Sequence, residues 1–381
     1  MELDNTHTVA LWGFLVAAVF GAIANKTNFC AMGAVSDWVN MGDKNRLRAW
    51  FLAIGVSVIG TQLLQVLGYI DLGDSIYLTT SFGWLGHLLG GLLFGIGMTL
   101  ASGCGQRTLV RLGGGNLKSL VVILVMGVTA YMTLRGLFAP VRINAIEVTN
   151  LDLAAKNMAD QSLVSFIHLV PGSGDLKAIR LSVAGAIGLG LILFAFLSAK
   201  YRKSHDNILS GISVGLIITA GWFITGKIGF DEFEPVRLES YTFVAPVGEN
   251  VNYLMTFTGA TINFGVAAVF GVITGSFLYA ILAGKFAIET FASRADMIAH
   301  LFGSVLMGFG GVLALGCTIG QGVSGMSTLA LGSVMTLVAI IFGAALTMKV
   351  QGQLLDEQPF LRAVRRSLAD MKLLPSGSRE K

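Results

Sequence analysis

Three cysteines, Cys30, Cys104 and Cys317, are the residues of this 381-residue chain best suited to chemistry. They are too few and too scattered for a disulfide scaffold, and no C-x-x-C pair suggests a zinc site. A thiol among apolar neighbours can pack as a small hydrophobe, donate a weak hydrogen bond, ligate a soft metal or enter redox exchange. Placement favours function for the set. A shift of 213 positions lays His87 on His300, Gly90 on Gly303, Gly95 on Gly308, Gly97 on Gly310, Gly103 on Gly316 and Cys104 on Cys317. After a two-residue slip Gly105-Gln106 matches Gly320-Gln321. A second echo reads VAAVFG at both Val16–Gly21 and Val266–Gly271.

The elements that position these residues must cross a bilayer. Hydrophobic residues make up 54% of the chain and charged residues 13%, about half the charged share of a soluble domain. A soluble globule and a disordered chain are excluded, and the apolar runs lack the alternation of a membrane barrel. Glycine, 49 residues, suits close helix packing and broken helices. Apolar runs predict nine spans, at roughly 9–25, 50–68, 84–101, 117–134, 181–197, 208–225, 257–282, 297–315 and 331–348. The expected class is an all-α polytopic membrane protein with an inverted repeat and short re-entrant or broken helices.

The net charge of +4 does not point to nucleic acid, because the bases fall in short loops and not in a soluble basic domain. Every second loop is basic: Lys44, Arg46 and Arg48; Arg107, Arg111 and Lys118; Lys200, Arg202 and Lys203; Lys285 and Arg294; Lys349, Arg362, Arg365 and Arg366. Positive charge stays inside, so the N-terminus is expected outside and the C-terminus inside. The N-terminus lacks the features of a removable signal peptide. The expected units are a first membrane half (1–135), an extracytoplasmic connection (136–180), a second membrane half (181–348) and a cytoplasmic tail (349–381). The third and eighth spans, read as duplicates, then run in opposite directions, as in transporters with inverted repeats. Both cysteine-bearing segments are expected to dip toward the membrane middle and bring their thiols to one pathway.

The residues resemble the YeeE/YedE sulfur transport family, bacterial inner-membrane proteins that take up thiosulfate. The resemblance rests on Phe29-Cys30-x-x-Gly33-Ala34, on Gly103-Cys104 with Arg111-Leu112-Gly113-Gly114-Gly115 downstream, and on Gly316-Cys317-Thr318-Ile319-Gly320-Gln321-Gly322-x-x-Gly325, and it covers most of the chain. It implies a nine-span, hourglass-shaped transporter whose cysteines, here Cys30, Cys104 and Cys317, line a narrow path and pass the substrate along. It also implies a small cytoplasmic sulfur-carrier protein as partner, and no cofactor. Gln106-Arg107 stand where many relatives carry small residues.

Thiosulfate is a dianion with a soft terminal sulfur, to which a neutral S–H can donate while exposed N–H groups and positive helix ends face the oxyanion. A thiolate would repel it, so neutral thiols are expected, without a covalent step or a nucleotide-binding motif. Gln106 and Gln321 can donate to oxyanion atoms or satisfy helix ends. Arg107 and Arg111 can attract anions at the inner exit or follow from the positive-inside rule alone. His87 and His300 read as capping or interfacial residues, and Lys26 as a snorkelling one. Two rival readings are a soft-metal or selenium-compound transporter and a membrane thiol redox protein.

Overall fold

The computed structural model describes residues 5–156, 158–168, 175–231 and 236–371. Its helices are α1 (Asn5–Thr27), α2 (Ala31–Met41), α3 (Asn45–Val66), α4 (Trp84–Leu100), α5 (Gly105–Gly113), α6 (Leu117–Arg135), α7 (Leu176–Phe196), α8 (His205–Phe223), α9 (Ala245–Met255), α10 (Phe264–Leu282), α11 (Arg294–Leu313), α12 (318–327), α13 (Leu331–Leu355) and α14 (Phe360–Asp370). Among the described residues nine helical segments are long and apolar enough to cross a membrane, one for each span expected from the apolar runs. The chain is a multi-pass helical membrane protein. In lipid every backbone polar group must be satisfied within the protein, and helices do so with their own ladders.

Side chains close the helix starts. Asn116 Oδ1 accepts from Ser119 N at 3.0 Å ahead of α6, Asn263 Oδ1 from Val266 N at 2.8 Å ahead of α10, and Ser293 Oγ from Asp296 N at 3.1 Å ahead of α11. The sole sheet among the described residues pairs Ser81–Phe82 with Leu151–Asp152, antiparallel. The connection after α6 folds back onto the membrane part: Leu163 N donates to Leu329 O at 3.0 Å and Leu331 N to Gln161 O at 3.0 Å. At the far end α13 continues past Met348 to Leu355, and α14 packs on it with Ala363 and Ser367 buried.

The duplicated helices α4 and α11 pack against each other through glycine. A Cβ on Gly90 would lie 2.6 Å from Gly310 O, and one on Gly310 would lie 2.6 Å from Gly90 O. Gly97 and Gly303 oppose each other in the same way, each 2.6 Å from the other's carbonyl oxygen. The contact is reciprocal, since each repeat-equivalent glycine meets the partner of the other, as across a two-fold axis. Later residues of α4 meet earlier residues of α11, so the helices are antiparallel and the duplication inverts.

The second echo belongs elsewhere. Gly271 of α10 approaches Phe14 O of α1, Gly275 approaches Ala18 O and Gly21 approaches Val272 O, so the two VAAVFG helices pack side by side and run in the same direction. Their shared small residues serve that packing, and an inverted repeat cannot contain them as equivalents.

Gly97→Leu or Gly310→Leu is expected to abolish recovery of monodisperse protein in detergent, because a side chain there overlaps backbone. Gly190→Ala, with open space around its Cβ, is expected to leave recovery unchanged. Equal recovery for all three variants would refute the interlocked contact.

Candidate functional site

Each cysteine occupies the same local arrangement. A long helix ends, a residue with left-handed backbone turns the chain, one residue follows, and the cysteine opens a short helix. The turning residues are Asn28 (φ 54°), Ser102 (φ 55°) and Leu315 (φ 57°). All three lie two positions before a cysteine, and Ser102 and Leu315 are repeat equivalents. Left-handed backbone is unfavourable for residues other than glycine and collects at functional sites.

The short helices α2, α5 and α12 begin at the cysteines. Ala34 N donates to Cys30 O at 3.0 Å, Thr108 N to Cys104 O at 3.0 Å and Gln321 N to Cys317 O at 2.8 Å. Two thiols also act as caps: Cys30 Sγ accepts from Gly33 N and Cys317 Sγ from Gly320 N, both at 3.4 Å. Three positive helix ends are thus brought to three sulfur atoms. Cys104 and Cys317 are fully buried and Cys30 nearly so.

The thiols of Cys30 and Cys104 are neighbours. The Thr318 hydroxyl lies against Cys104 and the Thr242 hydroxyl against Cys317. Cys30 opens onto a vestibule of about 660 Å³, lined also by Asn28, Arg46, Arg107 and Arg111. Thr242, Leu315 and Gly316 line a second vestibule of about 370 Å³, together with Arg135, Arg237, Glu239 and Glu249. The first vestibule is at the face where α1 and α4 end, the second where α6 and α11 end, so they lie on opposite sides of the protein. Cys104 is sealed between them. Neighbour contacts thus lead from the first vestibule through Cys30 to Cys104 and Thr318, and from the second through Thr242 to Cys317.

The supporting residues divide. Gln106 lies beside Cys104, its Oε1 3.9 Å from the thiol, and its Nε2 is buried without a hydrogen-bond partner. Gln321 is occupied at both ends: Nε2 donates to Ala314 O at 2.5 Å and Oε1 accepts from Ser333 Oγ at 2.6 Å. It holds the break after α11 with one of its two amide N–H groups. Arg111 Nη1 donates to Ser102 O at 2.8 Å, which fixes the break after α4. Arg107 Nη2 donates to Asn28 Oδ1 at 3.0 Å at the wall of the larger vestibule. Gly320 must be glycine, because a Cβ there would lie 2.3 Å from Thr242 Oγ1. Gly103 and Gly316 each sit between the turning residue and the cysteine. His87 and His300 lie elsewhere: His87 Nδ1 pairs with Thr336 Oγ1 at 2.8 Å, and His300 Nδ1 with Asp296 O at 2.8 Å. Lys26 is exposed.

Sequence reasoning missed Arg46, Thr242, Thr318 and Tyr77. Arg46 Nη2 donates to Asn28 O at 2.7 Å, the counterpart of Arg111 on Ser102. Its only signal was membership of a basic loop. Tyr77, from the connection after α3, is buried near Cys317 with its hydroxyl beside Gly320. Thr318 follows a cysteine directly, but Thr242 carries no local mark.

A profile of the family described as sulphur transport matches residues 26–346, a stretch that holds all three breaks and all three cysteines. The chain belongs to the sulphur transport family. Within it, the thiosulfate transporter TsuA of Escherichia coli (strain K12) is 26% identical over 330 residues, covering 83% of this chain and 87% of that protein. The thiosulfate transporter TsuA of Spirochaeta thermophila is 25% identical over 341 residues, covering 87% of this chain and 96% of that protein. Family membership gives the chain a role in sulphur transport.

Ser102→Gly is expected to leave thermal stability in detergent unchanged or raised, because glycine adopts the left-handed turn freely. Ser102→Val is expected to cost about 1–3 kcal/mol. Equal melting temperatures for the two variants would show that the turn is not held as described.

Proposed function

We propose that this protein takes up thiosulfate, or a closely related sulfur anion, across the bacterial inner membrane by relay between the uncharged thiols of Cys30, Cys104 and Cys317. The observation that carries the reading is the set of three positive helix ends, each opened by a cysteine, strung between vestibules on opposite faces. A sulfur anion has a soft end for S–H donors and a hard end for helix N-termini. Successive weak contacts also allow release, which conduction requires. The names of the two relatives agree in substrate.

The basic loops support a reading with the larger vestibule inside the cell, the N-terminus outside and the C-terminus inside. The anion enters past Thr242, meets Cys317 and then Cys104, and leaves at Cys30 into a mouth lined by Arg46, Arg107 and Arg111. A small sulfur-carrier protein docking on that basic face would accept it.

The Cys30–Cys104 contact also suits a thiol redox protein, which would need one such pair. Cys317, near neither thiol of that pair in sequence and at the far side of Thr318, has no place in a redox cycle and has one in a relay. For a soft metal, no group of three His, Cys, Asp or Glu residues among those described is placed to hold an ion.

Uptake of labelled thiosulfate into proteoliposomes tests the proposal. Cys104→Ala and Cys317→Ala are each expected to lower uptake roughly ten-fold or more, the effect of losing one contact of about 1–2 kcal/mol inside a sealed path. Cys30→Ala, at the wider mouth, is expected to lose less. Full uptake by the Cys104→Ala/Cys317→Ala double variant would end the relay.

External pH gives an independent check. Burial pushes the Glu239 carboxyl up to about 7, reinforced by Glu249 and opposed by Arg237. Below that pH the group is neutral, and above it a second negative charge joins Glu249 in the outer vestibule. Uptake of a dianion is expected to fall as external pH rises through about 7, and Glu239→Gln is expected to flatten the profile. An unchanged profile in the variant would remove Glu239 from the entry route.

A further inference from the structure

Most buried hydroxyls around the cysteines are paired within the protein. Ser324 Oγ donates to Tyr241 O at 2.7 Å, Ser327 Oγ to Ser324 O at 2.6 Å, Ser333 Oγ to Gln321 Oε1 at 2.6 Å and Thr108 Oγ1 to Cys104 O at 2.8 Å. Three polar groups beside the thiols are not: Thr242 Oγ1, Thr318 Oγ1 and Gln106 Nε2 are buried with no hydrogen-bond partner. Buried donors without partners are rare and disfavoured, so three beside the thiols call for an explanation.

Their order supplies one. From the outer vestibule inward the path runs Thr242, Cys317, Thr318, Cys104 with Gln106, and Cys30. Thr242 stands against Cys317 and Thr318 against Cys104, so each inner thiol has a hydroxyl at its side, while Gln106 turns Oε1 to Cys104 and leaves its Nε2 donor unused. The backbone makes room for this pairing, since Gly320 lacks the Cβ that would strike Thr242.

We infer that Thr242, Thr318 and Gln106 are specificity-determining donors that grip the oxygen end of the anion while the neighbouring thiols grip its terminal sulfur, so that the path recognises both ends at once. The inference rests on the proposed uptake of a sulfur anion and adds the residues that read the oxyanion. Hydroxyl and amide N–H groups are hard donors that bond well to sulfonate oxygen, whereas S–H is a weak donor suited to a polarizable sulfur. An anion with oxygen alone leaves the thiols unused. One whose third oxygen is replaced by methyl, as in methanethiosulfonate, keeps the soft end and leaves a hard donor unused.

The test is uptake of labelled thiosulfate in proteoliposomes with methanethiosulfonate as competitor, using Thr242→Val, Thr318→Val and Gln106→Met. Valine keeps the shape of threonine and removes the hydroxyl. Each variant is expected to raise KM for thiosulfate about ten-fold while inhibition by methanethiosulfonate changes less, so that discrimination between the two anions narrows. Thr318→Ser, which restores the hydroxyl, is expected to recover the wild-type ratio. Wild-type KM and ratio in all three variants would overturn the inference and leave the thiol relay intact. A parallel loss for both anions, without rescue by serine, would assign these residues to packing and also overturn it. Wild-type protein that takes up no thiosulfate would refute the proposed function itself.

Discussion

A helix that begins inside a membrane protein leaves its first backbone N–H groups without partners, and in a medium that excludes water each such group is costly. This protein starts three short helices in this way, α2, α5 and α12. The whole arrangement around Cys30, Cys104 and Cys317 follows from satisfying those ends without filling them. Two of the cysteines cap weakly through sulfur at 3.4 Å, far less completely than an Asp or Ser would. The N-termini stay positive and only partly occupied, which is the condition for a passing anion to be attracted and then let go.

The remaining polar side chains hold the breaks open. Arg46 and Arg111 each donate to the carbonyl of a left-handed residue, Asn28 and Ser102, and Gln321 donates to Ala314 at the third break. The first two bonds place cationic groups at the wall of the larger vestibule while consuming part of their donor capacity on structure. Anchoring and anion attraction thus fall to the same guanidinium groups. At the third break, deep in the protein, a neutral amide takes the role, where a charge would be costly to bury.

Much of this was legible in the chain. Unbroken apolar runs must cross a bilayer, so each of the nine spans could be placed, and a repeat offset by an odd number of spans must invert. The Gly-Cys pairs in the repeat marked two of the breaks because glycine-rich helix ends and a thiol recur there. Other features depend on contacts that sequence spacing does not encode. Gln321 looked like the twin of Gln106, yet Ser333 and Ala314 occupy it while Gln106 is left with an unpaired amide. The VAAVFG echo looked like further duplication, yet small residues recur wherever helices pack closely, and these two helices run in parallel. Thr242 could not be found at all, because it reaches Cys317 from a connection 75 residues earlier in the chain.

The interlock of α4 with α11 has a mechanical consequence. Backbone meets backbone at Gly90 with Gly310 and at Gly97 with Gly303, with no flexible side chain between them to absorb displacement. The pair therefore behaves as a stiff spar, with the turn before Cys104 at one tip and the turn before Cys317 at the other. Neither tip can swing while the other stays still. In the proposed relay, cargo advances by rotamer changes and small shifts of the short helices, with this pair as the fixed frame.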